Sequence, residues 1–125
     1  MHNLSPKNKR KARIIALQVI YAQEFNGSNI DETFEHMLSS NVIQDNLVIE
    51  YGKHLCYLTI SNKDGIDLMI SERLKNWDFS RITIMDRLIL RMSISEMLYE
   101  DKVPPKVSIS EGVEIAKEFS TNDSS

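Results

Sequence analysis

Apolar side chains recur every three or four residues along most of the chain, with polar residues between them. This spacing places the apolar side chains on one face of an amphipathic helix, and the sequence has no sustained alternation of the kind typical of strands. Six helices are predicted, beginning at about residues 6, 30, 45, 63, 83 and 108. The pattern therefore predicts an all-α fold.

Residues that favour helix ends mark the borders of the first two helices. Ser5 is a suitable N-cap, Pro6 suits the first helical position, and Gly27 suits the left-handed position that follows a helix. Asn29 is followed three residues later by Glu32, which is the spacing of a capping box. Together these residues predict one long helix, a short turn and a second helix.

The end of the chain carries similar signals. Pro104 and Pro105 interrupt the helical pattern because proline lacks a backbone N–H and restricts the residue before it. Ser108 and Glu111 match S-x-x-E and predict Ser108 as the N-cap of the last helix. The less periodic stretch NWDFSRIT predicts a joint between two halves. We therefore predict two small helical bundles, in residues 1–76 and 77–125.

The apolar faces of the predicted helices are expected to form the core. At 42% hydrophobic and 26% charged residues, the composition is that of a globular protein. The predicted core residues are Ala12, Ile14, Ile15, Ala16, Leu17, Val19, Tyr21, Ala22, Ile30, Phe34, Met37, Leu38, Val48, Tyr51, Leu55, Leu58, Ile66, Met69, Ile70, Leu74, Met85, Leu88, Ile89, Met92, Met97, Val113, Ile115, Ala116 and Phe119.

Cys56 is the single cysteine, so the chain has no intramolecular disulfide and no multi-cysteine metal site. Its apolar neighbours favour a buried, inert side chain over a reactive thiol. No apolar stretch approaches the length of about 20 residues that spans a bilayer, and no secretory signal pattern is found. We expect a soluble, cytoplasmic protein.

No catalytic or metal-binding constellation is apparent in the sequence. His2, His36 and His54 are scattered and show no ligand spacing with acidic residues or cysteine. Phosphate-binding loops of the G-x-x-x-x-G-K type are absent, and Ser108 has no histidine near it in sequence. We expect neither an enzyme nor a cofactor.

Charge is distributed unevenly along the chain. The formal net charge is −3, yet residues 1–13 carry five cations and no anion. Cations at a helix N-terminus oppose the helix dipole, so stability alone does not explain them. We name the set Lys7, Lys9, Arg10, Lys11 and Arg13 the basic cluster. Its i, i+3 and i, i+4 spacings form a band that suits several phosphates, although a solvated, frayed tail remains the alternative.

Tyr21 follows the basic cluster by two helical turns. Its ring suits base stacking of the kind used in single-stranded RNA recognition. A core aromatic residue with its hydroxyl at the surface is the competing interpretation.

Three motifs occur in order along the chain. Residues 9–21, KRKARIIALQVIY, are similar to R-R-R-A-R-x-x-A-x-Q-x-L-Y. Residues 85–98, MDRLILRMSISEML, are similar to V-[DE]-[KR]-x-[IL]-L-R-x-A-x-Y-E-L. Residues 104–119, PPKVSISEGVEIAKEF, are similar to P-x-x-V-A-I-N-E-A-V-E-L-A-K-x-F. These three patterns are those of the NusB family of bacterial transcription antitermination factors, which the chain therefore resembles.

The resemblance implies an all-helical protein of two small bundles that binds the boxA element of nascent ribosomal RNA transcripts together with the ribosomal protein NusE. Other Nus factors and RNA polymerase are indirect partners. It places Lys9, Arg10, Lys11 and Arg13 in the RNA-binding segment, Asp86 on the NusE-facing side and Asp123 near the RNA surface.

The chain departs from the family pattern in two ways that matter. Lysine replaces arginine at Lys9 and Lys11, which keeps the charge and loses the planar fork. Family members continue with K-F-V-N-G-V-L-D where this chain ends at Ser125, so we expect the second bundle to lack its last helix. The faces of Leu88, Met92 and Val113 would then lose a packing partner, which would favour self-association as a homodimer or a helix borrowed from another chain.

Two other functions are compatible with the sequence. Similar helical domains precede the catalytic half of certain ribosomal RNA methyltransferases, so the chain could be a detached accessory domain. A protein-interaction adaptor that does not contact RNA is the third hypothesis. Arg91 and Glu96 are expected to be structural partners of other elements rather than RNA contacts.

Overall fold

The computed structural model describes residues 4–40, 45–73 and 82–124, with side chains as far as residue 119. It contains six helices: α1 (Pro6–Asn26), α2 (Ile30–Ser39), α3 (Asn46–Ser61), α4 (Lys63–Arg73), α5 (Ile84–Tyr99) and α6 (Pro105–Ser124). No strand occurs in the described ranges, so the predicted all-α fold is confirmed. Most of the predicted joint NWDFSRIT lies outside the described residues.

The predicted caps of the first two helices are confirmed. Ser5 Oγ accepts a hydrogen bond from the backbone N–H of Asn8 at 3.1 Å. Gly27, after the end of α1, has φ 70°, a left-handed conformation that glycine adopts without steric cost. Asn29 Oδ1 accepts from the backbone N–H of Glu32 at 3.0 Å. These features mark where α1 begins, where it ends and where α2 begins.

The start of α6 differs from the prediction. The helix begins at Pro105, and the backbone N–H groups of Val107 and Ser108 both donate to the Pro104 carbonyl, at 2.9 and 3.3 Å. Ser108 therefore lies inside the first turn, where it is 1% exposed. Its predicted N-cap role is wrong, because proline at the first helical position already has a helical φ and needs no N–H partner.

The chain divides into two compact units, residues 1–57 and 58–125, with the border inside α3. This division differs from the predicted one between residues 76 and 77, which lie outside the described residues. The structure groups α4 with α5 and α6, whereas the sequence had suggested that α4 belongs to the first bundle.

The first unit is built around a close approach of α1, α2 and α3. Phe34 of α2 is fully buried, and a Cβ placed on Gly52 of α3 would lie 3.4 Å from the Phe34 ring and 3.5 Å from the carbonyl oxygen of Ala12. The Cys56 thiol donates to the carbonyl oxygen of Ala16 at 3.6 Å. Small residues on α1 and α3 thus allow the helices to pack tightly around one aromatic ring.

In the second unit α5 packs along α6. Leu88 and Met92 are 0% and 1% exposed, so the expected loss of packing at these two residues is wrong. Val113, in contrast, is 49% exposed and does not belong to the core as predicted. No helix in the described part of the chain combines the length and the apolar character that a bilayer crossing requires.

Candidate nucleic-acid interface

The basic cluster occupies the first two turns of α1. Lys7, Arg10 and Lys11 are exposed and Lys9 is half-buried. The first turn of this helix contains no acidic residue. Exposed cations at the positive end of the helix dipole add to its field, so this end of α1 attracts anions.

The lysines of the cluster are not neutralised by the carboxylates that the structure describes. Within residues 4–40, 45–73 and 82–124, none of the ion pairs includes Lys7, Lys9 or Lys11. Arg10 interacts with another group of the protein. Among the described residues, these three ammonium groups thus have no carboxylate partner, on a chain whose net charge is negative.

Arg13 occupies a different environment from the rest of the cluster. It is 3% exposed and lies on the same helical face as Ala16, Leu17 and Ile20, which are three, four and seven residues further on and are buried as well. The expectation that its guanidinium faces RNA with the other cations therefore needs correction. Arg13 falls within the apolar stripe of α1, and this spacing already indicates a buried position. Its charge instead suggests an exposed one, which is why the sequence alone groups it with the other cations.

Tyr21 lies on α1 beyond the basic cluster and is half-buried. Its ring centroid is 4.5 Å from that of Phe25, with an angle of 40° between the ring planes. Phe25 is 60% exposed. The two rings form an aromatic pair at the surface, and the pattern of apolar residues did not single out Phe25.

Asp86 lies in the first turn of α5 and is half-buried. Its backbone N–H donates to Oγ1 of Thr83, the N-cap, at 3.2 Å. A carboxylate in this turn is favoured by the helix dipole, so Asp86 also has a structural reason for its position. The side chain of Asp123 lies outside the described residues.

Comparison with known proteins decides the family. A sequence model of the NusB family matches residues 10–125. The chain belongs to the NusB family. It is 37% identical over 118 residues to the transcription antitermination protein NusB of Chloroherpeton thalassium, a match that covers 94% of this chain and 56% of that protein. It is 35% identical over 117 residues to NusB of Dehalococcoides mccartyi, covering 94% of this chain and 81% of that one.

The fold agrees with solved NusB structures. A crystal structure of the antitermination factors NusB and NusE in complex with dsRNA matches with a TM-score of 0.76 and 23% sequence identity, covering 90% of this chain and 83% of that one. At 23% sequence identity, this structural similarity establishes the fold of the chain and no more. The chain spans little more than half the length of the Chloroherpeton relative.

In this NusB-family chain the arginine of the second motif has a structural partner, as expected. Arg91 Nε and Nη2 donate to the two carboxylate oxygens of Asp67, at 2.6 and 2.8 Å, and the Arg91 side chain is 8% exposed. Glu96 is 1% exposed and also interacts with another group of the protein. Both residues are therefore anchored in the second unit rather than presented to a ligand.

No metal site occurs in the described part of this NusB-family chain, where no three side chains of His, Cys, Asp or Glu cluster to hold an ion. Burial raises the pKa of the Cys56 thiol from 9.0 to about 12, so the thiolate is scarce at neutral pH. The candidate contacts on the described part of α1 are thus ammonium groups and an aromatic pair.

Proposed function

We propose that this protein is an RNA-binding transcription antitermination factor that binds boxA-type RNA of ribosomal RNA transcripts together with the ribosomal protein NusE. One observation carries the proposal. Lys7, Lys9 and Lys11 lie on the first two turns of α1 without an ion-pair partner among the described residues, in a chain of the NusB family.

The binding mechanism is electrostatic capture of a ribose-phosphate strand. Each ammonium group that contacts a phosphate releases a condensed counterion, and this release supplies binding free energy that falls as salt rises. With Arg13 buried, the contacting set is Lys7, Lys9, Arg10 and Lys11. The rigid helix holds these groups at fixed spacing, which lowers the entropic cost of ordering them on the strand.

NusE is the proposed protein partner. Asp86 on α5 is the proposed acidic residue of this protein that contacts NusE. The likeness of the fold to the NusB of the NusB–NusE–dsRNA crystal structure supports this assembly. Other Nus factors and RNA polymerase would join indirectly. Asp123 is proposed to lie near the RNA. The protein would act in the cytoplasm as a binding factor without a catalytic step.

The alternatives are less well supported. The matched relatives are transcription antitermination proteins, which favours that role over a detached accessory domain of a ribosomal RNA methyltransferase. An adaptor that binds protein alone would leave the lysines of the basic cluster without a role.

The test measures binding of fluorescein-labelled boxA RNA and of NusE separately. The variant Lys9→Ala/Lys11→Ala is compared with Lys102→Ala/Lys106→Ala, which removes the same charge from exposed positions in the second unit. We expect the first variant to lose affinity for RNA and to retain its affinity for NusE. The second variant should retain its affinity for both. Unchanged RNA binding by the first variant, or loss of NusE as well, would contradict the proposal.

A further inference from the structure

Phe25 is an aromatic side chain left at the surface. It is 60% exposed, although an apolar ring gains free energy from burial. The buried apolar residues of α1 lie on another face and do not include it: they are Ala12, Ala16, Leu17, Val19 and Ile20. Its ring contacts that of Tyr21, with the centroids 4.5 Å apart.

Phe25 lies on the same face of α1 as Lys7 and Lys11, whereas Lys9, about 200° from Lys7 around the helix axis, points to the opposite face. An α-helix has 3.6 residues per turn, so residues 18 apart, such as Lys7 and Phe25, point in the same direction, and Tyr21 lies within about 40° of them. Gln18, between the two groups on this face, is exposed. At about 1.5 Å per residue, Tyr21 follows Lys11 by about 15 Å along the helix axis. A short run of single-stranded RNA can span that distance.

Two lysines followed by an exposed ring and a half-buried ring on one helix face suit single-stranded nucleic acid, in which phosphates pair with cations and unpaired bases stack on aromatic side chains. We propose that the Tyr21–Phe25 pair is a stacking platform for an unpaired base of the RNA strand that the basic cluster holds, with Phe25 as the main contact. This inference rests on the proposed function. It adds a stacking contact with a base to the phosphate contacts of the basic cluster.

The inference predicts that Phe25 contributes affinity without changing the dependence on salt. Replacing a stacking ring by alanine weakens binding by about 5- to 140-fold. Phe25→Ala and Phe25→Leu should both show this loss, while Phe25→Trp should keep the affinity because it keeps an aromatic face. The slope of log K against log salt should stay that of the wild type, because no phosphate contact is removed.

The experiment titrates each full-length variant into a fluorescein-labelled single-stranded boxA RNA at several salt concentrations. Leu68→Ala is the matched control, since Leu68 on α4 is 61% exposed and is not aromatic. We expect the control to bind like the wild type. Because Phe25→Leu keeps an apolar side chain of similar size, a loss of RNA affinity in both Leu and Ala variants with unchanged thermal unfolding identifies stacking.

Three outcomes would overturn the inference. Wild-type affinity in Phe25→Ala, with a normal salt slope, rejects the platform and leaves the proposed function intact. If Phe25→Ala loses NusE binding while its RNA binding is unchanged, the Tyr21–Phe25 pair contacts a protein partner instead of RNA. A wild-type protein whose RNA binding is absent or independent of salt would reject the proposed function itself.

Discussion

Arg91 of α5 and Asp67 of α4 form a bidentate ion pair, with its two hydrogen bonds at 2.6 and 2.8 Å. The Arg91 side chain is 8% exposed and that of Asp67 is 25% exposed, so the pair is shielded from water on the arginine side. Because the two carboxylate oxygens match the planar guanidinium, the pair fixes the register of α4 against α5.

Asp67→Ala should destabilise the protein because it leaves a nearly buried guanidinium without this carboxylate. Breaking a buried pair costs about 3–5 kcal/mol, and we expect about 2–4 kcal/mol here since Asp67 is partly hydrated. Urea unfolding measures the difference. Glu72→Ala, which removes the same charge from an exposed position on α4, should change stability by less than about 0.5 kcal/mol. Equal effects of the two variants would show that the pair does not stabilise the unit.

Gly112 of α6 lies directly against Ser93 of α5. A Cβ on Gly112 would overlap Ser93 Oγ and lie 3.2 Å from Ser93 Cβ. The Ser93 hydroxyl thus occupies the space that a methyl group on residue 112 would need. Gly112→Ala should destabilise the protein by overpacking, at about 1–3 kcal/mol, against a gain of up to about 1 kcal/mol in helix propensity.

Ser93→Ala should rescue Gly112→Ala, because it removes the hydroxyl that the new methyl group would meet. A double-mutant cycle in urea should give a favourable coupling of about 1 kcal/mol or more. Additive effects of the two substitutions would contradict the close contact.

Titration of the Cys56 thiol makes the free energy of unfolding depend on pH in the alkaline range. Burial raises the pKa of its thiol from 9.0 to about 12. The unfolded chain loses this proton above about pH 9 and the folded chain keeps it until about pH 12, so the contribution is complete below pH 9 and is lost as pH rises.

Between pH 9 and 10.5 the free energy of unfolding of the wild type should fall by up to about 2 kcal/mol more than that of Cys56→Ala. The hydrogen bond to Asp31 raises the pKa of Tyr57, and the neighbouring Cys56 raises it further, so the comparison is made in a Tyr57→Phe background for both proteins. The thiol should also resist alkylation until the protein unfolds. Parallel pH profiles, or rapid alkylation of the native protein at pH 8, would contradict the burial of Cys56.

Ser5 links the stability of α1 to the proposed binding surface. Ser5→Ala removes the hydrogen bond to Asn8 and should destabilise the helix N-terminus by about 1 kcal/mol. The lysines remain but lose their fixed spacing, so RNA affinity should fall while the charge is unchanged. Ser5→Thr should preserve both properties. If the cluster is instead a solvated tail, Ser5→Ala will bind RNA like the wild type.

Much of the helical architecture could be predicted from local signals. Ser5, Gly27 and Asn29 act within a few residues of their own position, so the sequence alone indicates where α1 ends and α2 begins. Ser108 shows the limit of such motifs, since its S-x-x-E match was overridden by Pro105 at the first helical position.

The candidate site could be predicted in part. The charge of residues 7–11 is evident from the sequence, whereas the burial of Arg13 depends on which face of α1 meets the core. Val113 follows the apolar period of α6 and is nevertheless half exposed, because a period shows that a face is apolar and not what covers it. The Tyr21–Phe25 contact required coordinates.

The central claim is that the lysines of the basic cluster bind the phosphates of single-stranded RNA. Its most direct test is the affinity of the wild-type protein for boxA RNA, measured by fluorescence anisotropy across a salt series. Four phosphate contacts predict a slope of log K against log salt of about −3, and Lys9→Ala/Lys11→Ala should reduce its magnitude by about 1.4. A slope near zero, or one that the double substitution leaves unchanged, would contradict the account.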